Sequence, residues 1–302
     1  MTTMADTAGG RVLSTRPRTT PARRTRRVGI VPTLIIALGA LYCLFPVIWV
    51  IFASTKTTPQ LSSTSTFAPT FRGGFVQNLK QLSDYRGGEF WRWGLNTVLY
   101  AGGGAAVSVA VSTTAGYALA KYQFRGRTLI FNTILAGVLL PQVILAIPQY
   151  LLVAKVGLAG TYWSVFLPSV FSPFGIYLVR IYAQSAIPDE MLAAAKLDGA
   201  GHWRIFRTVA LPTLVPGLIT VFLLQFVAIW NNFLLPFIML SNDRRFPLTL
   251  GLYTMLNQGV DVPSLDSVVL MGALFSIVPL IALFLSLQRF WRLDLITGGV
   301  KG

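Results

Sequence analysis

Cysteine, histidine and acidic residues are scarce in this 302-residue chain, which has one Cys, one His and ten Asp plus Glu. The lone thiol, Cys43, has no partner for an internal disulfide, so no redox framework exists; within an apolar run it reads as a buried, inert thiol. His202 has no cluster of Cys, His or acidic residues around it, so no metal site is expected. As the only histidine, it is also the only candidate base for a Ser–His–Asp constellation, and none is readable. No Gly-Lys pair occurs anywhere. The phosphate-cradling Gly-Lys loop is therefore missing, and any nucleotide hydrolysis belongs to another chain. These absences argue against an enzyme.

Charge is also missing from long stretches. The chain is 54% hydrophobic and 12% charged, with a mean hydropathy of +0.63, a membrane composition. A helix needs about 20 apolar residues to cross the hydrocarbon. Six runs qualify, roughly 29–53, 94–119, 129–153, 161–183, 211–240 and 267–288, and their cores hold no Asp, Glu, Lys or Arg. Pro141, Pro148, Pro168, Pro173, Pro216, Pro236 and Pro279 interrupt them, as transmembrane helices tolerate when neighbours satisfy the freed carbonyls. The expectation is an all-α integral membrane protein of six spans. Proton-coupled transport needs intramembrane ionisable groups, which these cores lack. A secondary transporter coupled to sodium through hydroxyls and carbonyls stays open as the alternative.

The net charge of +15 would suit nucleic acid, but its distribution points to a membrane. With the N-terminus inside, 17 of the 25 basic residues fall inside, which is the positive-inside bias; six spans then place both termini in the cytoplasm. Residues 1–27 are rich in Thr, Arg and Ala and are expected to form a disordered basic tail that touches anionic membrane lipid. No aromatics are interleaved with its arginines, so no nucleic acid partner is expected. The first apolar run exceeds a signal-peptide core of about 7–15 residues, so cleavage is not expected. The longest loop, 55–92, is placed outside. Its Phe67, Phe71, Phe75, Phe90, Trp91 and Trp93 suit either an interfacial belt or the resting place of a soluble partner.

Within the second run, Gly102, Ala106, Ala110, Thr114 and Ala118 recur every four residues, a stripe that permits close helix packing. The spacing leaves open a partner subunit, with packing inside the chain the leading expectation. Gln142, Gln225, Trp230, Asn231 and Asn232 are the neutral polar or amphipathic residues near span middles. Amides donate and accept, and an indole can stack on a sugar face, so they are candidates for a substrate pathway. Hydrogen bonds between helices also explain them, and that is the favoured reading.

One polar segment lies between two apolar runs: residues 188–216, PDEMLAAAKLDGAGHWRIFRTVALPTLVP. Ala193, Ala194 and Ala195 favour a helix, and Glu190 lies about one helical turn before them. Asp198, Gly199 and Ala200 follow, then a short helix through Phe206 closed by Leu211 and Pro212. Gly199 suits a tight bend, and Asp198 is read as the N-cap of the second helix. The segment resembles the EAA loop of ABC importer permeases, which docks into the ATPase; the family's usual acid stands where this chain has Ala193, and Glu190 is a candidate substitute for it. In order, AGYALAKY, FRGR, LPQ, PFGIYL, the A-x-x-x-D-G-A pattern, WNNFLLP and the terminal GGVKG are similar to the maltose-type, MalG-like branch of that family, over about residues 30–302.

The resemblance implies a type I (MetI-like) permease domain over 28–302, with a cytoplasmic coupling loop at 185–212 and a C-terminal tail at 289–302. It also implies an ABC ATPase homodimer that binds ATP and magnesium, a second, MalF-like permease and an extracytoplasmic sugar-binding protein. The sugar is then held mainly by the partner permease. Gly298, Gly299 and Lys301 fall in an ending that, in such subunits, reaches into the ATPase dimer; a frayed terminus is the competing reading. This chain would bind no cofactor itself and would sit in a prokaryotic cell membrane.

Overall fold

A computed structural model describes residues 29–65, 67–70, 73–258 and 265–298. The basic tail, Phe71, Gly299 and Lys301 lie outside the described residues. Helices carry nearly all of the architecture, with no strand among the described residues. Five helices are long and apolar enough to cross a membrane: Ile30–Ser54, Glu89–Lys121, Tyr162–Ala186, His202–Trp230 and Leu265–Gln288. They are the first, second, fourth, fifth and sixth spans. The third is a pair, Arg127–Leu139 and Gln142–Lys155, bent by 109°. The bend is at Pro141, which forces Leu140 into extended backbone (ψ 126°) and ends the first helix. Pro148 lies inside the second helix without breaking it.

The chain divides into two compact units at Pro46. The first, within the described residues, is the N-terminal part of the first span, whose apolar side chains are exposed. Cys43, expected to be buried, is exposed on it: a helix that is apolar all round has no polar face to put outward.

In the second unit, the second and fourth spans make the most extensive helix–helix contact. Ala105, Ser108, Ser112 and Gly116 form the buried face of the second span. A Cβ on Gly116 would stand 2.8 Å from the Val179 side chain, so only glycine allows this approach. The expected stripe is on another face: Ala106, Ala110 and Thr114 are exposed. The expectation of packing inside the chain is therefore corrected. Two four-residue stripes of small residues run along this helix, and the chain uses the one containing Gly116.

Residues 55–92 are not a slack loop. They hold helices Thr58–Ser63 and Gly74–Asp84 and the first turn of the second span. Asn78, buried, donates to the Ser54 and Lys56 carbonyls at 3.0 and 2.7 Å and accepts from Ser267 Oγ at 3.1 Å. Trp93 and Phe90, expected in an interfacial belt or beneath a soluble partner, are core residues; Trp91 is exposed. Trp93 Nε1 donates to the Asp243 carbonyl at 2.9 Å, and Asn96 Nδ2 donates to the Arg244 and Phe246 carbonyls, each at 3.0 Å. Tyr100 donates to the Arg245 carbonyl at 3.0 Å. Side chains of the second span thus pair the backbone of the loop before Leu248, as buried peptide groups require.

The chain therefore has two distinct ends. Helix Gly74–Asp84, the start of the second span and residues 241–258 gather at one, and the turn after Lys121 and the segment around Gly199 at the other.

Gly116→Val is expected to wedge the second and fourth spans apart at a cost of about 1–3 kcal/mol. Ala110→Val, on the exposed face of the same helix, is expected to leave the isolated chain unaltered. Thermal unfolding of both variants in detergent checks this; equal melting temperatures would refute the packing argument.

Candidate coupling segment

Helix Asp189–Leu197 begins after Pro188, with two acids in its first turn and Lys196 in its last, the charge order that suits a helix dipole. Lys121, at the end of the second span, donates to Asp189 Oδ1 at 2.7 Å. That hydrogen bond, then the ammonium charge, holds the exposed Asp189 carboxyl below its usual range.

At the other end of this helix the Ala200 N–H donates to the Ala195 carbonyl and the Gly199 N–H to the Lys196 carbonyl, both at 3.0 Å. With Gly199 at φ 76°, this is a Schellman closure. Nothing lies within 4 Å of a Cβ built on Gly199. Glycine is needed here for its left-handed backbone, not for space within this chain. Asp198 is the C-cap of helix Asp189–Leu197, and Gly201 caps the next helix without a side-chain bond. The N-cap role expected of Asp198 is corrected: the left-handed residue falls after it, so the chain enters the next helix three residues later.

That next helix does not stop at Leu211-Pro212. It runs unbroken from His202 to Trp230 as the fifth span, with a π turn at Phe206–Ala210. Pro212 has no N–H for the carbonyl four residues earlier and crowds it; the wide turn just upstream accommodates this. The expected boundary between segment and span is thus absent. A displaced Gly199 turn acts directly on a span.

Aromatic packing anchors the segment. Phe206 lies 5.1 Å from Tyr117 and 5.5 Å from Trp203, and His202 lies 5.4 Å from Tyr122, centroid to centroid. Ile187, Ile205, Ala210 and Leu214 are buried beneath. A cavity of about 320 Å³ opens between the second span and His202, Trp203 and Phe206. Phe206 thus faces its own bundle. Glu190, Ala193, Ala194, Asp198 and Gly199 are exposed, and Ala195 and Ala200 half-buried. Sequence reasoning passed over the apolar members of the bare surface: Leu197 is 89% exposed and Trp203 68%. Two large apolar residues in a polar stretch were the signal.

The interior polar candidates do not converge. The fourth span breaks at Phe171 and Ser172, between helices Tyr162–Val170 and Pro173–Ala186. Gln225 Nε2 donates to Ser172 Oγ, which caps the second of these by accepting from the Gly175 N–H. Trp230 is buried and stacks on Phe226 at 5.3 Å. Asn231 Nδ2 donates to the Val227 carbonyl at 2.9 Å, and Asn232 Oδ1 accepts from the Leu235 N–H at 3.2 Å. Both amides satisfy backbone at the end of the fifth span. Gln142 is exposed at the bend of the third. Among the described residues no group of three or more Cys, His, Asp or Glu is placed to hold a metal ion.

The same chain pattern occurs in known proteins. A family model described as "Binding-protein-dependent transport system inner membrane component" matches residues 112–292. The arabinooligosaccharides transport system permease protein AraQ of Halalkalibacterium halodurans is 35% identical over 215 residues, 71% of this chain and 76% of that protein. The lactose transport system permease protein LacG of Rhizobium radiobacter is 29% identical over 266 residues, 88% of this chain and 94% of that one. Among solved structures, a bacterial ABC transporter involved in import of the acidic polysaccharide alginate has a chain that superposes with a TM-score of 0.74 at 25% identity. The match covers 90% of this chain and 99% of that chain. This chain belongs to the binding-protein-dependent transport system inner membrane component family, and is an integral membrane permease subunit of an ABC importer rather than an enzyme.

Proposed function

We propose that the chain forms half of the pathway by which a mono- or oligosaccharide enters the cell, and that residues 189–205 dock into a separate ATPase. One observation carries the docking reading: the Gly199 turn is bare, while the helices on either side of it are tied to three spans. Relatives named for arabinooligosaccharide and lactose transport support a sugar as cargo. The family's dependence on a binding protein disfavours the sodium-coupled alternative. The partners are an ATPase homodimer that holds ATP and magnesium, a second permease and an extracytoplasmic sugar-binding protein. Both termini are cytoplasmic in this reading, and the ending with Gly298, Gly299 and Lys301 extends toward the ATPase.

The mechanics follow from the anchors. When nucleotide closes the ATPase, the Gly199 turn moves with it. The Lys121–Asp189 pair passes that motion to the second span, Ile187 passes it to the fourth, and the unbroken helix after Gly201 passes it to the fifth. The spans then rock as bodies between inward and outward access.

Topology is tested by single cysteines in a Cys43→Ala background. Ser63→Cys is expected to react with an impermeant maleimide on intact cells and Gly201→Cys only after lysis; the reverse pattern overturns the orientation.

Docking is tested by three substitutions. Gly199→Asn keeps the left-handed turn at little cost, and Asp198→Ala removes an exposed group that makes no capping bond in this chain. Both are expected to reach normal membrane levels yet lose ATPase pull-down and sugar uptake. Gly199→Val adds strain of about 1–2 kcal/mol and is expected to lose both as well. Wild-type uptake in all three would sink the docking reading.

The Asp189 anchor has a defined pH window. Its folded pKa is depressed, so its contribution is complete above the ordinary carboxylate value of about 3.9 and is lost as pH falls through the folded value. Protease protection of the segment is expected to stay flat from neutral pH down to that value and to drop below it. Asp189→Asn should show weaker protection at neutral pH and no such drop.

A further inference from the structure

A second cavity, of about 270 Å³, opens beside the end of the second span and is lined by Gln123, Arg127, Thr128, Phe131 and Arg180 among others. Two guanidiniums meet there. Arg127 donates through Nε to the Leu119 carbonyl at 2.9 Å and through Nη2 to the Ala120 carbonyl at 3.2 Å. Arg180 donates through Nε to the same Leu119 carbonyl at 3.4 Å, and its guanidinium lies 3.6 Å from the Phe131 ring centroid. These bonds cap the helix end and use only part of the available donors. Among the described residues no carboxylate comes within ion-pair distance of either arginine.

Two half-buried cations that share a cavity without a counter-ion call for an anion from outside the chain. Arginine pairs match phosphate oxygens in a bidentate fork. The cavity also opens at the start of helix Arg127–Leu139, whose first turn has no side-chain cap, so its N–H groups favour negative charge.

The surroundings identify the anion. Leu129 is 71% exposed, Ile130 and Phe124 are exposed beside it, and helix Arg127–Leu139 buries none of its residues. A phosphate seated between Arg127 and Arg180 would carry its acyl chains along this apolar surface. We propose that the cavity holds the phosphate head group of an anionic phospholipid, which completes the end of the second and fourth spans beside the coupling segment. The proposal requires only that these helices cross a bilayer; it is independent of the sugar carried and of the docking reading.

The test uses the full-length chain in its native assembly, in bilayer discs of phosphatidylcholine with or without phosphatidylglycerol. Native mass spectrometry reads the lipid retained, and thermal unfolding reads stability. Wild type is expected to retain phosphatidylglycerol preferentially and to melt higher in its presence. Arg127→Gln and Arg180→Gln are each expected to weaken that retention about five-fold.

Because both arginines also cap carbonyls, a second variant leaves those bonds in place. Gln123→Glu sets a carboxylate at the cavity wall and is expected to lower phosphatidylglycerol retention by a similar factor while leaving the melting temperature in pure phosphatidylcholine unchanged or higher. Equal retention of the two lipids by wild type, or unaltered retention in Gln123→Glu, overturns the proposal. So does an equal gain in stability from inorganic phosphate alone, which would mark a site for a free anion. Photo-crosslinks from position 123 that capture a protein subunit in place of lipid would overturn it too.

Discussion

The approach of Gly116 to Val179 sets the register of everything at the Gly199 end of the bundle. Five residues beyond Gly116 the second span ends at Lys121, and one residue beyond Val179 the fourth span presents Arg180. With the two helices locked at that height, Lys121 meets Asp189, Tyr117 meets Phe206, and Arg180 reaches the Leu119 carbonyl. A side chain larger than hydrogen at 116 would shift one helix relative to the other, and each of these contacts depends on that offset. Close small-residue packing is the general means by which helices associate in lipid, where burial of apolar surface supplies little force between them.

The same reasoning explains what could be read from the sequence and what could not. The apolar runs locate the spans because their length is set by the bilayer, and the segment around Gly199 stands out because it is polar between two of them. The buried face of a span is another matter. When all sides of a helix are apolar, periodicity no longer marks the interior, so Ala106, Ala110 and Thr114 look as suitable as Ser108, Ser112 and Gly116. Only the neighbour, Val179 on the fourth span, distinguishes them, and it is more than 60 residues away in sequence.

Asp198 departs from the expected N-cap role for a more local reason. An Asp before a helix is a good N-cap, but one followed by Gly also suits the end of the preceding helix, and the hydrogen bonds of Ala200 and Gly199 choose the second. Trp93 lies in the core because its carbonyl partner, Asp243, is brought to it from 150 residues away in sequence. Aromatic residues near a span end suit a belt and a core equally until that partner is known.

The interior polar groups and the coupling segment are parts of one mechanical unit. Gln225 on the fifth span holds Ser172, the residue at which the fourth span resumes after its break. The fifth span is the one that runs without interruption from the Gly199 turn. A push on that turn therefore reaches the broken fourth span twice: through Ile187 and Ala183 in the cluster near the segment, and through Gln225 further along. With Ser172 held at the break and Ala183 and Ile187 held beyond it, the part of the fourth span after the break moves with the fifth. The soft point is left at Pro141 in the third span, where the two helices meet at 109°, whereas the end of the fifth span is bridged by Asn231, Asn232 and Thr249. Rigid transmission along the fifth span and the part of the fourth that it holds, with bending left to the third, is what a permease driven from one end requires.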